Sequence, residues 1–330
     1  MGRLTKIDWC DATWNPVTGC LHGCEYCYAR RIAERFGGGY RHGSEPADRS
    51  WRWWRQRPDS DYDSRDLVGD HAYHANGQIH VLEDVCYSYP CLSSISPPED
   101  DPSREKAPYP YYFDPTFHRY RLDEPKKWKK PRTIFVCSMA DLMGAWVPDA
   151  WKHDVIAACK AAPQHRYLFL TKNPLGYDIW PTIDCSVKDK FDQDNFWLGC
   201  TMTGREDLSR YQDHYGRYLY CMGGNILPGR AHRFISIEPI MTDVMELPGY
   251  LARSALKEAM LEHAAGYSGS VEWIIVGAET GNRKGKVIPE RKWIEKIIDG
   301  CVKYHIPLFM KESLREIMGE DFRQEFPWKV

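Results

Sequence analysis

From residue 131 onward, short apolar runs alternate with stretches of helical periodicity. That alternation builds βα units, because a strand that pairs in parallel with its predecessor needs a crossover to return the chain to the same end of the sheet. The runs predict strands at 133–137, 167–170, 196–200, 233–237, 273–277 and 307–310. Pro148 opens a helix with apolar positions at Trp151, Val155, Cys159 and Ala162, and Pro163 closes it. Proline suits a first helical turn, where its missing N–H costs nothing. Pro289 opens another helix, with Trp293, Ile294, Ile297, Ile298 and Cys301 on one face. With a strand before Cys20, the count reaches six or seven βα units. The expected fold is α/β: a partial or irregular (β/α) barrel over 1–36 and 131–330, carrying a long irregular insertion over 37–130.

Parallel barrels place their chemistry at the C-terminal ends of the strands. Here those ends carry Cys137-Ser138-Met139-Ala140-Asp141, Thr171-Lys172-Asn173, Thr201-Met202-Thr203, Glu238-Pro239, Glu279-Thr280-Gly281 and Lys311-Glu312. A lone carboxylate at such a position is usually a salt-bridged surface group. A whole set on one face is harder to assign to chance. If Lys172, Glu238, Glu279 and Lys311 are buried together they need partners, since an unpaired buried charge is costly. A zwitterionic ligand can supply them.

The first strand leads into Cys20-Leu21-His22-Gly23-Cys24-Glu25-Tyr26-Cys27, a C-x3-C-x2-C loop followed by the helix formers of 28–36 and by Gly37-Gly38-Gly39. Three thiolates on one short loop can hold three irons of a cubane cluster and leave the fourth open. A helix start also favours negative charge, and such a cluster is net anionic. Zinc is the competing occupant, with His22 as fourth ligand, because structural zinc wants four tetrahedral ligands. A disulfide framework is a weaker alternative, since twelve cysteines in 330 residues at irregular spacing do not make a dense secreted scaffold.

Composition sets the remaining bounds. Apolar residues at 43% supply a sizeable core, and a formal charge of −2 means that any nucleic-acid contact must use a local patch. Two basic–aromatic runs offer one: Arg49-Ser50-Trp51-Arg52-Trp53-Trp54-Arg55-Gln56-Arg57 and Lys126-Lys127-Trp128-Lys129-Lys130-Pro131-Arg132. Cations with interleaved aromatics suit phosphate contact and base stacking. A solvated loop anchored by its tryptophans reads equally well. Cys86 and Cys91 also fall in the insertion, as an extra metal site or as plain thiols. No apolar run approaches a membrane span and no signal-peptide core opens the chain, so the expectation is no membrane and a reducing cytoplasm.

The cysteine spacing, with Tyr26 before the last cysteine, resembles the signature of radical S-adenosylmethionine (SAM) enzymes. Further segments resemble the phage-associated three-cysteine radical-SAM family: Asp11-Ala12-Thr13-Trp14-Asn15-Pro16, 131–142, Leu170-Thr171-Lys172-Asn173-Pro174, Ile235-Ser236-Ile237-Glu238-Pro239 and Val276-Gly277-Ala278-Glu279-Thr280-Gly281. The likeness covers about 5–36 and 115–315. It implies a radical-SAM barrel, a 4Fe-4S cluster on Cys20, Cys24 and Cys27, and SAM on the open iron. One electron from a flavodoxin or ferredoxin would then cleave SAM to a deoxyadenosyl radical. Tyr26, Ser138, Asp141, Lys172 and Thr201 become candidates to hold SAM, and Glu238, Glu279 and Lys311 candidates to orient the substrate. Relatives accompany the hypermodification of thymine in phage DNA, so the implied reaction is isomerisation of 5-Nα-glycinylthymidine to 5-Cα-glycinylthymidine in the host cytoplasm. Two alternatives stand beside it. One is a DNA-lesion lyase similar to spore photoproduct lyase, with Cys137 or Cys200 returning hydrogen. The other is a zinc-stabilised DNA-binding protein without catalysis.

Overall fold

The computed structural model describes residues 5–37, 71–74, 77–83, 87–88, 105–106, 108–177, 193–204, 231–245, 260, 264 and 270–329. In chain order the strands are β1 (Ala12–Trp14), β2 (Val17–Thr18), β3 (His71–His74), β4 (Gly77–Leu82), β5 (Tyr87–Ser88), β6 (Glu105–Lys106), β7 (Thr116–His118), β8 (Thr133–Val136), β9 (Arg166–Thr171), β10 (Phe196–Thr201), β11 (His232–Ile237), β12 (Trp273–Val276) and β13 (Leu308–Met310). The helices are α1 (Tyr28–Phe36), α2 (Glu124–Lys127), α3 (Asp149–Lys160), α4 (Arg291–Tyr304) and α5 (Arg315–Met318). The described chain divides into two compact units. One comprises Met1–Thr13, Lys129–Val136 and Cys159–Val330; the other comprises Trp14–Trp128 and Cys137–Ala158.

The first unit is built on a seven-stranded sheet in the order β1-β8-β9-β10-β11-β12-β13. The pairs from β8 to β13 are parallel. The fold is therefore mixed α/β with a partial (β/α) barrel, as the alternation of apolar runs and helical stretches predicts. Each predicted strand is present to within a residue or so at either end, and the helices opened by Pro148 and Pro289 form at Asp149–Lys160 and Arg291–Tyr304.

Side chains alternate between the two faces of a strand, and here the two faces differ in chemistry. One face carries Phe135, Leu168, Trp197, Phe234, Trp273, Ile275 and Phe309, packed with Trp9. The other carries Cys200, Ile235, Ile237, Ile274, Val276, Leu308 and Met310, covered by Ile294, Ile297, Ile298 and Cys301 of α4. Trp273 centres the aromatic face, with ring centroids of Phe234, Phe309, Phe326 and Trp328 at 5.7, 6.1, 5.9 and 5.0 Å. The last two come from the C-terminal segment. That segment runs along β13 through Met310 N–H to Arg323 O (2.9 Å) and Glu325 N–H to Leu308 O (3.0 Å), and it caps the Trp273 indole N–H with Glu325 O at 2.9 Å.

The second unit holds a four-stranded sheet, β2-β7-β4-β3, and the β5–β6 pair. Phe117 on β7 stacks on Trp151 of α3 at 5.2 Å, and Thr18 Oγ1 meets buried His118 Nε2 at 2.9 Å. Among the described residues, no helix is long and apolar enough to cross a membrane.

Gly199 tests the aromatic face. A Cβ there would lie 2.2 Å from Cζ of Phe234, a ring with no room to retreat. Overpacking of this kind costs about 1–3 kcal/mol. Gly199→Ala is expected to lower the chemical-denaturation midpoint accordingly. An unchanged midpoint would mean that Phe234 does not fill that notch.

Candidate functional site

The cysteine loop belongs to the second unit and is tied down from several sides. Gly19, at φ +86, passes so close to Asp114 that a Cβ would meet its carbonyl oxygen at 2.1 Å. Only glycine combines that backbone conformation with that approach. Gly19 N–H donates to Met139 O (2.9 Å) and Cys20 N–H to Phe113 O (3.2 Å). Cys27 is the N-cap of α1, where its Sγ accepts from Arg30 N–H at 3.3 Å. Arg30 reaches back to Cys20 O at 3.4 Å. His22 Nε2 meets Asp141 Oδ2 at 2.7 Å, and buried Asp141 accepts from Met143 N–H through its other oxygen at 3.1 Å. Ser138 donates to Asn15 Oδ1 (3.1 Å), which also accepts Met139 N–H (3.0 Å), while the Tyr28 hydroxyl donates to Ser138 O at 2.7 Å. Tyr26 is half-buried.

Cys20, Cys24 and Cys27 are all free thiols. Cys20 and Cys27 pack against an apolar group of Ala29, Ala33, Phe113 and Met139. Burial, then the Asp141 carboxylate, pushes the Cys20 thiol far up, and burial raises that of Cys27 against the opposing Arg30 N–H. Cys24 adds to the rise at both Cys20 and Cys27, and Cys27 adds to that at Cys20. Among the described residues, no three His, Cys, Asp or Glu side chains gather closely enough to hold a single metal ion. A cubane cluster does not require that, because each thiolate binds a different iron. The donor set, its dry flank and the helix start fit an iron–sulfur cluster.

The strand-end residues after β9 to β13 belong to the first unit. Alternation carries Lys172, Thr201, Glu238 and Lys311 onto the side of the aromatic face, just past Leu170, Gly199, Ser236 and Phe309. Glu238 and Lys311 form an ion pair, each side chain partly exposed. Gly277 lies under the pair: a Cβ would stand 2.9 Å from Lys311 Cδ and 3.2 Å from Glu238 Cγ. Its N–H donates to Ile237 O (3.0 Å), and Lys311 N–H donates to Val276 O (2.8 Å), which fixes the three strand ends side by side. Thr201 is buried and in register with Ser236; Lys172 is half-buried beside Asn173, whose N–H donates to Thr171 Oγ1 at 2.8 Å.

Glu279 has a partner that the sequence reading missed. Its carboxylate, 2% exposed, takes both arms of Arg283 at 2.6 and 2.8 Å and accepts Val287 N–H at 3.4 Å. The spacing of four residues was the available signal, but Arg283 stands in a loop and no helical periodicity pointed to it. Lys126, Lys127, Lys129 and Lys130 are exposed, with Lys126 3.5 Å from Asp123. The basic run at 49–57, Cys86 and Cys91 lie outside the described residues.

The Arg283 hydrogen bonds hold the Glu279 carboxyl below the usual carboxylate range. A depressed folded value gives stability that is complete above the unfolded value, about 4.3, and is lost as the pH falls through the folded one. Arg283→Met is therefore expected to be less stable than the parent at neutral pH, with a gap that narrows below about pH 4. Denaturation curves at pH 7 and in mild acid decide it. A gap independent of pH would show that the pairing is not its source.

Residues 4–64 and 101–318 match a protein-family model described as "Protein of unknown function (DUF5131)". The unmatched stretch, 65–100, lies within the segment expected to be an insertion. No curated protein and no solved structure matches the chain.

Proposed function

The chain belongs to that family of unknown function, and from its site we propose a radical-SAM enzyme acting on a modified thymine base in phage DNA. The observation that carries the reading is the loop of three free thiols, spaced C-x3-C-x2-C, closing at Cys27 on the N-terminus of α1 with an apolar flank. Cys20, Cys24 and Cys27 would hold a 4Fe-4S cluster, which with SAM supplies a carbon radical able to abstract hydrogen from an unactivated position. Arg30 places a cation and a backbone N–H beside Cys27, which suits an anionic cluster.

The remaining roles follow from the donors that each residue offers. Tyr26 provides a flat face for adenine. Ser138, Asp141, Lys172 and Thr201 provide hydrogen-bonding groups for the amino acid and ribose portions of SAM, with Lys172 the compact cation suited to its carboxylate. The Glu238–Lys311 pair presents one charge of each sign, the complement of a glycyl group with its ammonium and carboxylate. Glu279, held in place by Arg283 and Val287 N–H, is the third group proposed to orient the substrate. In the proposed reaction, hydrogen leaves the glycyl α-carbon, the bond between the thymine methylene and nitrogen breaks as the methylene bonds to that carbon, and the abstracted hydrogen is given back to the nitrogen. The product is an isomer. Reduction would come from a flavodoxin or ferredoxin, in a host cytoplasm where such clusters survive.

The test is anaerobic turnover of the iron- and sulfide-reconstituted protein with dithionite, SAM and DNA bearing 5-Nα-glycinylthymidine. Mass spectrometry of the digest is expected to show 5′-deoxyadenosine and a nucleoside of unchanged mass and shifted retention. Lys172→Ala is expected to weaken SAM binding with the cluster intact. Deoxyadenosine without an isomeric nucleoside would overturn the substrate. Neither product from a protein carrying its cluster would overturn the activity.

A further inference from the structure

The strands' N-terminal edge carries a second concavity, unrelated to the residues above. It measures about 500 Å³ and is lined from the starts of β8 to β12, a size typical of small-molecule sites. Its lining changes in charge along the sheet edge. Arg132 and Arg166 outnumber Asp11 at the β1–β9 end; Asp194, His232 and Glu272 stand at the β10–β12 end. Two of these groups lie flat on indoles. The Arg166 guanidinium carbon is 4.1 Å from the Trp328 ring centroid, and the His232 ring stacks on Trp197 at 4.5 Å.

The carboxylates are not equivalent. Glu272 is engaged by His232 at 2.8 Å, and Asp11 accepts Thr133 N–H at 2.7 Å. Asp194 is exposed on the wall. From Arg132, ahead of β8, to Asp194, ahead of β10, is two ladder steps, roughly 10 Å at the usual strand spacing. A single α-amino acid, whose charges are three bonds apart, cannot bridge arginine wall and acid wall. A mononucleotide can: phosphate at one end, ring in the middle, base edge at the other.

We propose that this pocket is a nucleotide site, with the phosphate at Arg132 and Arg166, the ring against the planar Arg166 and His232 groups, and N–H donors of the base turned to Asp194. Arginine suits both phosphate contact and stacking. A carboxylate accepts only, and its two oxygens match the adjacent N1–H and N2–H donors on guanine's edge. The exposed Lys129 and Lys130 lead directly into the Pro131-Arg132 wall, so the nucleotide is either free or the end of a strand. The site does not depend on the radical-SAM reading and needs no cluster.

Calorimetric titration of the full chain tests it, with guanosine 5′-monophosphate, ribose 5-phosphate and a 5′-phosphorylated hexanucleotide beginning with guanine. Saturable binding of the nucleotide is expected, with ribose phosphate about ten-fold or more weaker. Arg166→Gln is expected to weaken both by about ten-fold. Asp194→Asn, at an exposed position that leaves the fold intact, should bring the nucleotide down to the level of ribose phosphate. A hexamer that displaces the nucleotide assigns the site to a strand end; a hexamer that does not assigns it to free nucleotide. Absence of saturable nucleotide binding by the folded parent, or unchanged affinity in Asp194→Asn, would overturn the proposal.

Discussion

The parallel ladder from β8 to β13 depends on one packed layer. Trp273, fully buried, touches or adjoins nearly every other aromatic group on its face of the sheet, and its indole N–H is satisfied by the C-terminal segment. A large ring buried with its one polar atom hydrogen-bonded contributes apolar area without a desolvation penalty. Gly199 leaves the space that the Phe234 ring needs, and Phe326 and Trp328 seal the layer from the chain's far end. Everything at either edge of this sheet is positioned by that layer: Glu238, Gly277 and Lys311 one step beyond its C-terminal side, Arg166 and His232 at its N-terminal side.

At three of the strand ends, charge is compensated within the protein. Glu279 is neutralised by a two-armed arginine, the more specific geometry for a carboxylate. Glu238 and Lys311 neutralise each other where both keep some exposure. The first arrangement stiffens a loop; the second keeps both charges within reach of solvent. In the cysteine loop the balance is reversed. Burial and the Asp141 carboxylate both oppose thiolate formation at Cys20, so the thiol there stays protonated unless a cation compensates its charge.

Much of the fold was legible because the strands are buried and the punctuation is strong. Runs such as Phe196–Thr201 and His232–Ile237 are almost wholly buried, so hydrophobicity alone marks them, and Pro148, Pro163, Pro289 and Pro307 mark helix limits. The cysteine loop was legible for the same reason: spacing is local. What was not legible is what depends on contacts between distant residues. Nothing in the chain's order says that Gln324 bridges Phe309, that Asn15 holds Ser138, or that Gly277 must lack a side chain for Glu238 and Lys311 to meet. The pocket at the opposite sheet edge was equally hidden, since its lining comes from the starts of six strands and from the C-terminal segment.

The central claim is that Cys20, Cys24 and Cys27 hold a cluster with an iron open to SAM. Electron paramagnetic resonance of the reconstituted, dithionite-reduced protein tests it most directly. The account predicts about four irons per chain, a reduced-cluster spectrum that changes on adding SAM, and loss of that spectrum in Cys24→Ala. A protein that takes up zinc instead, or a cluster spectrum indifferent to SAM and to Cys24→Ala, would contradict it.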